Sequence, residues 1–184
     1  DLIYGSPHLS DEDLMADIAT LIQYKVNHIS CYALTVEEKT ALFSMIAKKQ
    51  IEDIDTTKQA RQFEIMVDAL TAAGFEHYEI SNFAMPNGRS KHNSNYWNQV
   101  PYLGLGPAAH SFNGDQRQWN IANNSLYFQS IKNSLVPFEL ENLSLTQKFN
   151  EYMMISLRKS EGFSTHYIKT HFGEKYEAYI MSTT

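Results

Sequence analysis

The chain has 184 residues and a mass of 21.1 kDa, with 15 basic against 21 acidic side chains and a net charge of −6. That length holds one domain, or one domain and a piece of another, and 43% hydrophobic content is enough for a real core, which excludes a disordered tail. The acidic balance argues against a nucleic-acid surface, no apolar run reaches the length of a bilayer span, and a single cysteine excludes an internal disulfide, a Cys-type zinc site and a thiolate-held iron–sulfur cluster within this chain. Asp1 stands first rather than Met, so the chain reads as a piece cut from a longer polypeptide.

Residues 1–5, Asp-Leu-Ile-Tyr-Gly, read as a strand closed by glycine. Ser10 reads as the cap of a helix with Asp11, Glu12 and Asp13 at the positive end of its dipole and Leu14, Ile18, Leu21 and Ile22 on one face. Ile29 to Leu34 is apolar without alternation, as a strand covered on both faces would be, so the first 34 residues predict a right-handed parallel βαβ unit. A short helix near 40–48 and a longer one over 56–73 follow, the latter with Phe63, Met66, Val67 and Leu70 inward and Gly74 as its stop. A strand is expected over 75–80, a polar, aromatic-rich loop over 81–101, a glycine-broken strand over 102–112 and an Asn113-Gly114 hairpin into 116–121. A helix from Ser125 to Asn133 comes next, then an acidic linker after Pro137. The capping pattern Ser144-x-x-Gln147 then opens a helical tail. The boundary expected is residue 138, giving 1–138 and 139–184.

Candidate chemistry lies at three places. Asp1 is an acid on an apolar strand: either a frayed terminus or a group aimed at a buried partner. The run Ser90 to Trp97 sets His92 near Tyr96 and Trp97, as a surface loop pinned by two aromatics or as a metal or haem-iron ligand facing a flat macrocycle. Gly104 to His110 matches a loose Gly-x-Gly-x-x-Ala pattern. Pro107 and the lack of an acid about 20 positions on argue against a dinucleotide turn, so the glycines are read as allowing close backbone approach. His166 and His171 are five apart and off one helical face, and Met153-Met154 reads as packing.

Five blocks in order, Asp1–Pro7, His28–Thr35, Tyr78-Glu-Ile-Ser-Asn-Phe-Ala84, His92-Asn-x-x-Tyr-Trp97 and Tyr102–Ser111, together resemble the oxygen-independent coproporphyrinogen III oxidase-like family of radical S-adenosylmethionine proteins. The resemblance covers about residues 1–165, and the third and fourth blocks, Tyr78–Ala84 and His92–Trp97, are similar to its haem-chaperone branch. It implies an α/β fold: the C-terminal part of an incomplete (β/α)6 barrel with extra strands and the start of an α-rich domain. It implies His92 as haem-iron ligand beside Tyr96 and Trp97. Asp1, Thr35 and His110 would line the S-adenosylmethionine pocket, Thr35 and His110 through backbone atoms. The family's [4Fe–4S] cluster would have its three cysteines before Asp1, so this chain alone should be inactive and contributes no catalytic residue. Haem or porphyrinogen, and haem-receiving respiratory proteins, are the partners implied, in the cytoplasm. Bare strand edges predict self-association. True coproporphyrinogen III decarboxylation and a non-catalytic interaction module are the rival readings.

Overall fold

A computed structural model describes residues 1–183. They divide into two compact units, one over residues 1–90 and the other from residue 91 onward. The first unit runs β1 (Leu2–Tyr4), α1 (Asp11–Gln23), β2 (His28–Ala33), α2 (Ala41–Ala47), α3 (Thr56–Ala72), β3 (Glu76–Glu79) and β4 (Asn82–Ala84). The expected parallel βαβ is present: Leu2, Ile3 and Tyr4 pair with Cys31, Tyr32 and Ala33. Chemistry at the helix ends matches the sequence. Ser10 Oγ accepts from Asp13 N at 3.0 Å, with the Asp13 carboxylate returning the bond, and Asp55 accepts from Thr57 N at 2.9 Å to start α3.

The core lies where α1 and α3 meet the sheet. Leu14, Ile18, Met66 and Leu70 are wholly buried there against Leu2, Ile29, Cys31 and Phe83. At about 1.5–3 kcal/mol for each large apolar side chain removed from water, this cluster holds the unit together. The other face of the sheet differs from expectation. Strand β2 is covered on both sides only over Ile29–Cys31; Tyr32 is 46% exposed, and its β1 partner Ile3 is 57% exposed. The stretch expected as loop after β3 instead turns back at once as β4. It lies between β2 and β3 and is antiparallel to both, giving the order β1-β2-β4-β3.

The second unit begins with a helix where a loop was expected, α4 (Lys91–Trp97). The strand expected over 102–112 is reduced to β5 (His110–Phe112) and a single bridge from Tyr102 back to Phe112. β6 (Gln116–Asn120) follows through the expected turn, in which Asn113 Oδ1 accepts from Gln116 N at 2.7 Å. α5 (Asn124–Lys132) is capped by Asn123, two residues before the expected start at Ser125. The acidic stretch read as a linker is β7 (Phe138–Asn142), paired along its whole length with β6, so residue 138 opens a strand in the middle of this unit. α6 (Leu145–Ser156) has its predicted capping box, and α7 (Thr165–Phe172) and α8 (Glu174–Thr183) pack with it around Phe149, Ile168 and Ile180.

Candidate functional site

In a parallel pair, ligands sit beyond the carboxyl ends of the strands. Three side chains of α3 fix that end of β1 and β2. Gln62, wholly buried, accepts from Gly5 N at 2.8 Å and donates to Leu9 O at 3.1 Å. Gln59 donates to Leu34 O at 2.8 Å, and Lys58 Nζ reaches Ser6 O and Pro7 O, each at 3.0 Å. Gly5 is at φ +77, and a Cβ there would overlap the Gln59 side chain, so glycine is required twice over. Thr35, exposed, follows directly on Leu34. Asp1 is also exposed but stands at the opposite end of the pair, level with Ser30 by register. Five residues of strand, roughly 16 Å at ~3.3 Å each, separate the two levels. The structure therefore does not bring Asp1 and Thr35 together, and His110 belongs to the other unit, where it opens β5 against Trp119.

The block Tyr78 to Ala84 builds a polar cluster that residue patterns alone did not reveal. Ser30 Oγ donates to Asn82 Oδ1 at 2.6 Å, and Asn82 Nδ2 donates to Glu79 Oε1, which also accepts from Ser81 N at 3.2 Å. Glu79 is 2% exposed and its Oε2 has no partner. Nearby, His28 Nε2 and Tyr78 OH lie 2.8 Å apart. Burial pulls the His28 imidazole below its ordinary value, Glu79 opposing, and burial pushes the Tyr78 hydroxyl up.

In the second unit, α4 carries His92, Tyr96 and Trp97. Four-residue spacing puts His92 and Tyr96 on one face, and their rings meet edge-on with centroids 4.9 Å apart. Tyr96 in turn meets Tyr102 at 4.7 Å, and burial raises the Tyr102 hydroxyl. His92 is exposed, and among the described residues no group hydrogen-bonds its ring nitrogens. Trp97 does not join this pair. Five residues on, it is turned about 140° around the helix, and it packs under the Arg158 guanidinium, 5.9 Å from its ring centroid. The glycine loop before His110 is braced: Asn120, 2% exposed, donates to Gly106 O at 2.9 Å, Ser111 Oγ accepts from Gly104 N at 3.0 Å, and a Cβ on Gly104 would overlap the His110 backbone. Close approach, the role expected of both glycines, holds at Gly104 alone; Gly106 has open space around it and a φ of +106.

Comparison with known proteins bears on the family. No family model matches the chain. The heme chaperone HemW of Mycobacterium tuberculosis is 34% identical over 163 residues, 88% of this chain and 42% of that protein. HemW of Bacillus subtilis is 32% identical over 177 residues, 96% and 46% of the two chains. These similarities support the oxygen-independent coproporphyrinogen III oxidase-like family, haem-chaperone branch, for this chain. The radical S-adenosylmethionine fold of this family is also that of the coproporphyrinogen III oxidase HemN from Escherichia coli. Its structure superposes with a TM-score of 0.72 at 16% identity, over 98% of this chain and 44% of that one. The chain spans less than half the length of the curated relatives it matches. The family's iron–sulfur cluster does not fit the residues present. Cys31 is 2% exposed with its thiol pushed up to about 12 by burial, unsuited to a thiolate ligand, and the described residues contain no metal-ligating group of three. His92, exposed and unbonded, does fit the axial ligand of a haem-handling family member.

Proposed function

We propose that this chain is the haem-holding part of a radical S-adenosylmethionine haem chaperone, with His92 as axial ligand to the haem iron. The observation that carries the reading is the state of His92. Its imidazole is exposed at the start of α4 and free of hydrogen bonds, and Tyr96 packs edge-on against it and limits its rotation. A neutral imidazole so placed offers a ring nitrogen to iron, and the aromatic side chains beside it offer an apolar surface to a porphyrin. Its relatives bear the name heme chaperone, and the haem-chaperone reading transfers that role to this chain. Trp97 contributes by fixing the end of α4 through Arg158 rather than by facing the iron.

In the same reading, the Thr35 segment contributes backbone atoms to an S-adenosylmethionine pocket, and Asp1, at the other end of the strand pair, is not assigned to it. The clamp from α3 gives the Thr35 segment a fixed place from which to do so. Haem titration of the intact protein, followed by absorbance, tests the ligand. His92→Ala abolishes the ligand-field change that wild type shows; an unchanged spectrum and affinity removes His92 from the role. Turnover of coproporphyrinogen by the reconstituted intact protein without oxygen would move the assignment to the decarboxylating branch. Delivery of haem to respiratory proteins is read out by haem transfer to candidate acceptors.

A further inference from the structure

A small cavity of about 180 Å³ opens in the second unit beside the turn that carries His92. Its walls are Tyr96, Trp97, Gln99, Tyr102, Phe112 and Ile155, and its two charged lining residues are Arg117 and Glu151. Tyr96 both lines this cavity and packs on His92, so the two features share a side chain. Arg117 is held in place by its fellow lining residue: its Nη2 lies 2.8 Å from Glu151 Oε2, a carboxylate only 15% exposed, while the guanidinium side chain keeps 39% of its surface. A guanidinium has five N–H donors in a planar fork, so pairing with one carboxylate oxygen leaves donors for a second anion.

The volume is below the roughly 300–1,000 Å³ of a site that takes a whole small molecule. It suits one substituent of a larger ligand that stays outside. Aromatic and aliphatic walls, with a guanidinium that is fixed by Glu151 and keeps donors for a second carboxylate, match a short hydrocarbon arm ending in a carboxylate. Resting on the reading of His92 as haem ligand, we propose that this cavity receives one carboxyethyl arm of the porphyrin, with its methylenes against the aromatic walls and its carboxylate on Arg117. Arg117 is then the residue that distinguishes a porphyrin with free propionates from one without.

The test is titration of the intact protein with haem and with haem dimethyl ester, whose arms are uncharged. Wild type binds the free acid roughly tenfold or more tightly than the ester, the scale of one charge-assisted hydrogen bond. Arg117→Gln brings that ratio close to one while the His92-dependent absorbance change remains, and Arg117→Lys, which keeps the charge, retains most of the ratio. An Arg117→Gln protein that folds and keeps the wild-type ratio overturns the proposal, as does a wild type indifferent to esterification. The two readings separate cleanly. A haem spectrum unaffected by His92→Ala defeats the axial assignment alone, and the ester ratio in Arg117→Gln still decides the arm.

Discussion

Three side chains of the first unit carry consequences that their neighbours do not. Gln62 is polar and wholly buried, and its bonds tie Gly5, Leu9 and the Asp11 carboxylate of α1 to α3. Gln62→Ala leaves Gly5 N and Leu9 O unpaired and opens a cavity, so a loss of about 2–4 kcal/mol is expected in urea unfolding. Cys31, whose thiol burial lifts to about 12, should stay unmodified by a thiol reagent at pH 8 in the folded chain and react in denaturant. His28 sets a pH dependence. Its folded-state pKa lies below the unfolded value of about 6.5, so the unfolded chain binds more protons in between. Its contribution is therefore fully present above that value and is lost as pH falls through the window below it. Thermal melts from pH 7.5 down to 5 should show this decline, and His28→Gln should flatten it. Sequence made the apolar partners of these residues legible through periodicity. It gave no sign of Gln62 or Glu79, because a buried polar residue on a helix or strand is spelled like an exposed one until its partners are known.

Elements with a cap, a glycine or a turn at their ends were readable, the short β1, β2, α2, β6 and α5 among them; β4, α4 and β7 were not. α1 and α3 show both a cap and an apolar stripe, and their ends fall where those signals put them. β4 has three residues and α4 seven, too few for either period to emerge, and α4 is polar throughout except for its last two aromatics. β7 did carry a signal: Phe138, Glu139, Leu140 and Glu141 alternate, and the acidic half of that alternation hid the apolar half. Site residues followed the same rule. The spacing of His92 and Tyr96 states their contact only once α4 is known to be a helix. In the glycine loop, two positions should separate sharply. Gly104→Ala forces a Cβ into the His110 backbone and should prevent the second unit from reaching its native near-UV spectrum. Gly114→Ala, at φ +99 with open space around it, should cost only about 1 kcal/mol in the same measurement series.

At the scale of the chain, sheet edges and unit boundaries matter more than any side chain. β1 pairs only with β2 among the described residues, and Ile3 and Tyr32 stand open on the face beside that edge. An unpaired strand edge next to an apolar face is a template for association. Sedimentation velocity of the 184-residue chain should therefore show association that grows with concentration, and Ile3→Lys should weaken it. The fold class and the order of the blocks were legible because they depend on many residues at once. The division of the chain was not, because a boundary is set by where contacts become sparse, and no composition change marks residues 90–91. That division bears on inheritance. His92, Tyr96, Tyr102, Arg117 and Glu151 all fall within residues 91–184, whereas Asp1, Thr35 and the α3 clamp fall before them. A single crossover between duplicated genes near codon 90 would thus exchange His92, Tyr96 and the Arg117 cavity as one cassette, leaving the α3 clamp to diverge on a separate lineage.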